Sequence, residues 1–283
     1  MAVEHIPVLL NAVLDALGDI QGKTIVDCTF GAGGYSRAFL TRGANVIAFD
    51  RDPNALRYVD EIKAQWGDKF RFVPAPFSKI SDLEQTVDAI VFDLGISSMQ
   101  IDTPERGFSF RADAPLDMRM EQSGDSAYDL IKNIDVSKLA EILRNYGDVK
   151  KANILARAIK DNLPTTTFEL RDLIHTPRDV APVFQALRIA VNDEMGELER
   201  ALAVVPDLLN KGGRCICVTF HSLEDRIVKN QFRKWTTAPG DPRLPQVQVA
   251  DFELIKTALP DDKELEDNPR ARSAHMRGVI KSC

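Results

Sequence analysis

A glycine-rich turn between a strand-like run and a helix is the feature that most constrains how this chain can fold. Residues 24–36 begin as a β-branched run and pass through a cluster of glycines, and a helical pattern then covers residues 36–41. Gly31, Gly33 and Gly34 allow a tight turn and let the backbone approach a ligand without interference from a Cβ atom. The N-terminus of the helix that follows would point at the same place. The segment therefore predicts a site for a nucleotide-like ligand.

The order of the glycines argues against a dinucleotide. A dinucleotide-binding turn usually reads G-x-G-x-x-G after the first strand, whereas Gly31-Ala-Gly-Gly-Tyr-Ser36 lacks the third glycine. This difference favours another adenosine-containing cofactor. A nicotinamide-dependent dehydrogenase stays open as an alternative.

Two further strand-like runs lead into acidic residues. Asp50 ends the first run, a little under twenty positions after Gly31, where a carboxylate could accept hydrogen bonds from both hydroxyls of a ribose. Asp93 and Gly95 lie at the end of the second, and ligands of open α/β sheets bind at the carboxyl ends of the strands. Asp50 could equally open a turn, and Asp93 could cap a loop. The coincidence at three strand ends favours a functional site.

The alternation of patterns predicts an α/β fold. Strand-like runs at 24–29, 45–50, 70–74 and 89–94 alternate with helical patterns. This alternation is typical of a parallel sheet that is covered by helices.

A long helical stretch interrupts this sheet. Apolar residues follow helical spacing from residue 128 to 208, and strand character returns at 212–220. The chain is therefore predicted to have a discontinuous sheet domain, residues 1–101 and 206–283, into which an all-helical lobe for substrate recognition is inserted at 102–205.

Composition sets limits on the function. The 283 residues are 44% hydrophobic, enough for one large core and a smaller lobe. Lys and Arg total 36 against 42 Asp and Glu, which gives a net charge of −6. This charge excludes a protein that coats nucleic acid over its whole surface, so any RNA contact must be a local basic patch.

No apolar run is long enough to span a membrane and no signal peptide is recognisable, so a cytoplasmic location is expected. The cysteines lack C-x-x-C spacing and the histidines are scattered, so no metal site is predicted.

Several ordered sequence blocks accompany the glycine loop. They are Asp50-Arg-Asp-Pro53, Asp93-Leu-Gly-Ile-Ser-Ser98, Glu105-Arg-Gly-Phe-Ser-Phe-Arg111, Leu116-Asp-Met-Arg-Met120, Phe184-Gln-Ala-Leu-Arg-Ile-Ala-Val-Asn-Asp-Glu194, Phe220-His-Ser-Leu-Glu-Asp-Arg-Ile-Val-Lys229 and Asn268-Pro-Arg-Ala-Arg-Ser-Ala274. Together these blocks resemble the MraW (RsmH) family of bacterial small-subunit ribosomal RNA (cytosine-N4)-methyltransferases. The resemblance runs from His5 to the C-terminus.

The resemblance implies a class I, Rossmann-like methyltransferase sheet that binds S-adenosylmethionine. The family's cofactor-binding positions correspond to Gly33, Gly34 and Tyr35 in the loop that begins at Gly31, to Asp50 at the ribose, to Phe77 beside the adenine, and to Asp93 and Gln100 near the methionine end. Tyr35 replaces the histidine that is usual in the family, so a backbone contact is expected there. Phe77 could equally be a core residue.

The implied reaction is methyl transfer to N4 of a cytidine in 16S rRNA. The lone pair of this nitrogen is delocalised into the ring, so an acceptor for its N–H group would help to localise that pair. Asp93 is the first candidate for this acceptor, with Ser97 or Ser98 as helpers. Phe108 and Phe110 could stack on the base, although packing is the favoured explanation of both residues.

His221 follows the returning strand, where a general base or a substrate contact would be well placed. Ser222, Glu224 and Asp225 would equally suit the N-cap and first turn of a helix, an explanation that leaves the histidine unaccounted for.

The implied partner is 16S rRNA within the small ribosomal subunit, and a homodimer is one option for the assembly. The predicted RNA contacts are Arg106, Arg111, Arg119, Arg226, Lys229, Arg270 and Arg272, although a solvated charged surface is the usual alternative. An inactive RNA-binding or assembly factor that retains the cofactor fold is a further alternative.

Overall fold

The computed structural model describes residues 7–238 and 250–282, so His5 and Cys283 lie outside the described residues. The chain forms two compact units. The sheet unit comprises Met1–Gly95 and Met195–Cys283, and the helical unit comprises Ile96–Glu194.

The sheet unit is built on seven strands. They are β1 (Thr24–Asp27), β2 (Asn45–Phe49), β3 (Phe70–Val73), β4 (Val87–Asp93), β5 (Leu209–Thr219), β6 (Phe252–Ala258) and β7 (His275–Lys281). Their order in the sheet is β3-β2-β1-β4-β5-β7-β6, in which β7 is antiparallel to both of its neighbours and the other pairs are parallel. The predicted α/β fold is confirmed, and its sheet is parallel from β3 to β5 and antiparallel at β7. The sequence patterns did not predict β6 or β7, and most side chains of β6 are exposed because it is an edge strand.

Twelve helices accompany the sheet among the described residues. They are α1 (Leu10–Leu17), α2 (Gly34–Thr41), α3 (Leu56–Trp66), α4 (Ser98–Ile101), α5 (Ala127–Asn133), α6 (Val136–Gly147), α7 (Ala152–Asn162), α8 (Thr167–Asp172), α9 (Val180–Asn192), α10 (Glu194–Leu208), α11 (Ser222–Trp235) and α12 (Asp262–Asp267). None of the described helices is long and apolar enough to cross a membrane.

Each unit has its own hydrophobic core. In the sheet unit, Val26, Ile90 and Phe92 pack with residues from β2, β5 and α11, and the buried Cys28, Cys215 and Cys217 lie in this core as packing residues. The core of the helical unit contains residues from α5 to α9 together with the segment 108–120.

Helix α10 explains why the second boundary of the helical unit differs from the predicted one. Leu198, Leu202 and Val205 on this helix pack in the sheet core, although their helical spacing continues the pattern of the helical unit. Periodicity shows that a segment is helical and not which core it joins. The helical unit therefore ends at Glu194 rather than near residue 205, and its first boundary lies at Gly95 rather than near residue 101.

The chain order reverses beside β1. The chain continues from β1 to β2 and β3 on one side, whereas β4 and β5 lie on the other. Such a switch point opens a crevice at the carboxyl ends of the strands. The glycine loop follows β1 at this place, and Asp93 ends β4 beside it.

Candidate active site

The glycine loop adopts a backbone that favours glycine. Gly31 and Gly33 have φ angles of 55° and 83°, and Gly33 is the N-cap of α2. A Cβ atom on Gly33 would lie 2.6 Å from Cδ1 of Ile62 and 3.0 Å from the ring of Phe30. The positive φ angle and these two contacts favour glycine at this position.

Asp50 connects the glycine loop to the end of β2. Its Oδ2 accepts a hydrogen bond from the backbone N–H of Gly31 at 2.7 Å, and its Oδ1 accepts one from Asp52 at 2.8 Å. Burial raises the pKa of Asp50 to about 6, against the opposing effect of these two hydrogen bonds. The hydrogen bond from Asp52 shows that Asp50 opens a turn, which was the alternative to a ribose contact. A carboxylate oxygen can accept more than one hydrogen bond, so the predicted ribose contact stays compatible with this arrangement.

Asp27 is a buried acid that the sequence patterns did not single out. It ends β1 and is 1% exposed. The hydroxyl of Ser36 donates to its Oδ2 at 2.6 Å, and the backbone N–H of Thr29 donates to its Oδ1 at 3.2 Å. Burial raises the pKa of Asp27 to about 6. An acid at the end of a strand that enters a glycine loop was the signal that could have identified it.

Asp93 has an unused acceptor. Its backbone N–H donates to Oγ1 of Thr29 at 2.8 Å, whereas its buried Oδ1 has no hydrogen-bond partner within residues 7–238 and 250–282. Burial, followed by the charges of Asp27 and Glu224, raises the pKa of Asp93 well above its usual value. An unpaired buried acceptor is costly, so its presence indicates a place where a ligand donates a hydrogen bond.

Two predicted cofactor contacts are aromatic residues that pack inside the sheet unit. The ring of Tyr35 is buried and its hydroxyl donates to the carbonyl of Val8. Phe77 packs edge-on against Phe92, with ring centroids 5.6 Å apart. Phe77 therefore packs against the core of the sheet unit, as the alternative explanation held. A backbone contact at Tyr35 and an adenine contact at Phe77 stay predictions.

Ser97, Ser98 and Gln100 lie at the start of α4 in the helical unit. Ser97 is the N-cap, and its hydroxyl accepts from the backbone N–H of Gln100 at 3.3 Å. Oε1 of Gln100 accepts in return from the backbone N–H of Ser97 at 3.0 Å. This capping box positions α4, and the predicted catalytic and cofactor roles of the three residues stay predictions.

The N-cap of α11 is His221, not Ser222. Nδ1 of the imidazole accepts from the backbone N–H of Glu224 at 3.4 Å, and Oε2 of Glu224 accepts from the backbone N–H groups of Phe220 and His221. Oε1 of Glu224 lies 2.9 Å from Nε2 of the ring. The expectation that capping leaves the histidine unexplained is wrong, because Nδ1 of His221 is itself the acceptor that caps the helix.

Asp225 belongs to a different interaction on α11. Its carboxylate receives two hydrogen bonds from the guanidinium of Arg277, at 2.7 and 2.9 Å. The hydrogen bonds from Arg277 lower the pKa of Asp225. The pair ties α11 to β7.

The predicted RNA contact at Arg106 is wrong, because the structure buries this residue. Arg106 is 7% exposed, and its guanidinium donates to the carbonyls of Arg119 and Met120 at 2.8 and 3.0 Å. Arg119 is partly exposed and forms a two-point ion pair with Asp117. Arg106 therefore holds a loop of the helical unit together.

The other predicted RNA contacts are exposed side chains. They are Arg111 in the helical unit and Arg226, Lys229, Arg270 and Arg272 in the sheet unit.

The two aromatic residues that could stack on the base pack within the protein. Phe108 is 8% exposed and Phe110 packs edge-on against Phe184, so the packing explanation favoured for both residues agrees with their positions.

Comparison with known proteins identifies the family. The model of the MraW methylase family matches residues 2–282. A ribosomal RNA small subunit methyltransferase H from Mesorhizobium japonicum is 45% identical over an alignment of 298 positions, which covers 99% of this chain and 88% of the relative. A protein of the same name from Caulobacter vibrioides is 44% identical over an alignment of 303 positions, which covers 99% of this chain and 96% of the relative. On these matches, the chain belongs to the MraW methylase family.

Proposed function

We propose that this protein transfers a methyl group from S-adenosylmethionine to the exocyclic N4 of a cytidine in the decoding region of 16S rRNA. The observation that carries the proposal is the buried, unpaired Oδ1 of Asp93 at the switch point of the sheet, next to the glycine loop. Membership of the MraW methylase family supports the reaction type, and the names of the relatives support small-subunit rRNA as the substrate.

The residues at the carboxyl ends of β1, β2 and β4 suit this cofactor. Asp50 can accept hydrogen bonds from ribose hydroxyls, and Gly33 supplies the positive φ angle with which the chain enters α2. The bound cofactor supplies an activated methyl group on a positively charged sulfur. A positive charge that binds beside Asp93 would lower the pKa that burial raises there, and so favour the ionised carboxylate. Gly31, Gly34, Tyr35, Phe77 and Gln100 complete the proposed cofactor contacts.

Asp93 is the proposed acceptor for the reacting amine. An N4–H group that donates to Oδ1 would have its nitrogen lone pair more localised and better placed for attack. The nitrogen must lose a proton once its bond to the methyl carbon forms, and a carboxylate with a raised pKa accepts a proton more readily. Ser97, Ser98 and His221 are proposed as further contacts to the substrate.

The test is a transfer assay that identifies the product. Purified protein is incubated with tritiated-methyl S-adenosylmethionine and small ribosomal subunits that lack the modification, and the nucleosides are analysed by mass spectrometry. N4-methylcytidine is expected. Asp93→Asn should lower its rate of formation about 100-fold or more, because an amide is a poor proton acceptor. Asp60→Asn, an exposed change on α3, is the matched control and should leave the rate unchanged.

Two results would contradict the proposal. Cofactor binding without any methyl incorporation would favour an inactive assembly factor with the same fold. Near-normal turnover by Asp93→Asn would remove Asp93 from the chemistry while leaving the substrate assignment in place.

A further inference from the structure

The turn between α6 and α7 carries a group of cations that no functional assignment above includes. Arg144, Lys150, Lys151 and Arg157 are all exposed. With the exposed Ile154, these residues form what we call the α6–α7 patch.

The two helices hold the patch together. α6 ends at Gly147 and α7 begins at Ala152, so a short turn joins two helices that pack on each other. The guanidinium of Arg144 donates to Oδ1 of Asn153 at 3.1 Å, which fixes it against the first turn of α7.

The remaining members follow one face of α7. Lys151 is the N-cap of this helix, and its carbonyl accepts from the backbone N–H of Ile154 at 3.1 Å. Residues three apart on a helix are neighbours on its surface, so Lys151, Ile154 and Arg157 form a row. Lys150 precedes this row in the turn. The cations therefore share one continuous surface.

The charges of the patch are not neutralised by ion pairs. Within the described parts of the chain, no carboxylate lies within 4.0 Å of the charged atoms of its four cations, whereas Lys138 on the same α6 pairs with Glu141 at 3.2 Å. Asp148 and Asp161 border the patch and leave its cations in excess. Acidic residues outnumber basic ones between residues 96 and 194, so the patch departs from the average charge of its unit.

The composition of the patch fits a polyanion better than a protein surface. Ile154 is 71% exposed and is the one large apolar side chain in the row. A protein–protein interface usually has a broader apolar centre, whereas a phosphate backbone is held by several separate cations. A single aliphatic side chain among them suits contact with a sugar or a base.

We infer that the α6–α7 patch binds the phosphate backbone of small-subunit rRNA. The inference rests on the proposed function, because the proposed substrate is the polyanion in question. The patch adds RNA contacts in the helical unit, where the predicted contact at Arg106 is buried.

The test measures RNA affinity as a function of salt. Fluorescence anisotropy with a labelled 16S rRNA transcript, from about 50 to 200 mM salt, gives the affinity and the slope of its logarithm against the logarithm of salt concentration. The variant Lys150→Ala/Lys151→Ala/Arg157→Ala should bind at least tenfold more weakly. Its slope should be shallower by roughly 2 to 3, because each lost phosphate contact removes about 0.7 to 0.9.

The control removes the same number of charges from the same unit. Lys132→Ala/Lys138→Ala/Arg178→Ala changes three exposed cations outside the patch and should keep the affinity within about twofold of the unchanged protein. Lys150→Arg/Lys151→Arg should retain binding, since it preserves the charge. The melting temperature of each variant shows whether the fold is intact.

Two results would contradict RNA binding by the α6–α7 patch. Equal slopes for the patch and control variants would overturn the inference. Normal binding to the free transcript together with weaker binding to assembled small subunits would also overturn it, because the partner would then be a ribosomal protein. The methyl-transfer assay on the unaltered protein is read separately. If it yields methylated rRNA while the patch variant binds normally, the proposed function stands without the patch.

Discussion

Three strand-end carboxyls differ in their hydrogen bonds. Asp27 accepts from Ser36 and Thr29, and Asp50 accepts from two backbone N–H groups. Asp93 alone of the three keeps a buried oxygen without a partner among the described residues. Asp27 and Asp50 therefore organise the loop and the turn, whereas Asp93 also has an oxygen that no group among the described residues uses.

Asp50→Ala should weaken S-adenosylmethionine binding more than tenfold. The variant removes both ribose acceptors and also releases the N–H of Gly31 from its partner. Asp50→Asn keeps one acceptor oxygen and should show a smaller loss. Isothermal titration calorimetry measures both, with Asp60→Ala on the exposed face of α3 as the control. Unchanged affinity in Asp50→Ala would remove the ribose assignment.

Asp27 should make the protein less stable as the pH rises from about 4 to 6. Its pKa is about 6 in the folded protein and 3.8 as the ordinary value, so the folded state binds the proton more tightly. The stability that this proton confers is present below the unfolded pKa and is lost as the pH rises through the folded pKa.

Asp27→Asn should remove the part of the pH dependence that belongs to Asp27, while Asp50, whose pKa is also raised to about 6, keeps its own part. We expect the variant to stabilise the protein by about 1 kcal/mol more at pH 7.5 than at pH 5, because the native carboxylate pays a desolvation cost only when it is ionised. Loss of its charge also eases the ionisation of Asp93, which acts in the same direction. Urea unfolding at the two pH values measures the difference, and an equal effect at both would show that Asp27 titrates normally.

At the scale of elements, helix ends account for several predicted site residues. Ser97 caps α4 and His221 caps α11, each with a side chain three positions later that completes a capping box. A polar residue after a strand can therefore serve the helix, the substrate or both. Substitutions that preserve capping separate these roles.

His221→Ala should lower the free energy of unfolding by about 1 kcal/mol, because the N–H of Glu224 loses its acceptor. His221→Asn should restore most of this loss, since asparagine is a good N-cap. Thermal unfolding and the turnover rate are measured on both variants. A stable Asn variant with reduced methyl transfer would support the substrate contact, whereas normal turnover would assign His221 to capping alone.

At the scale of the whole molecule, a net charge of −6 requires that RNA binding be local. The exposed cations lie in both units. Arg226, Lys229, Arg270 and Arg272 belong to the sheet unit, and the α6–α7 patch belongs to the helical unit. Binding through such separate sites should depend strongly on salt.

Arg270→Glu/Arg272→Glu should weaken binding to 16S rRNA at least tenfold at low salt and leave cofactor affinity unchanged. Both side chains are exposed, so the change reverses surface charge without disturbing a core. Lys256→Glu/Lys263→Glu, two exposed residues of the same unit, is the charge-matched control. Anisotropy and calorimetry measure the two affinities, and a loss of cofactor binding with normal RNA binding would place the arginines in the fold instead.

The sequence by itself determined the α/β class, five of the seven strands, the long helical stretch between them and the positions of Asp50 and Asp93 at strand ends. Family membership confirms the predicted methyltransferase fold. These features follow from local patterns: hydrophobic period, glycine placement and strand-end acids. Only the tertiary structure decided that Arg106 is buried, that α10 packs in the sheet core and that Asp27 is a buried acid. Burial and pairing depend on which distant segments meet, and a local pattern does not contain that information.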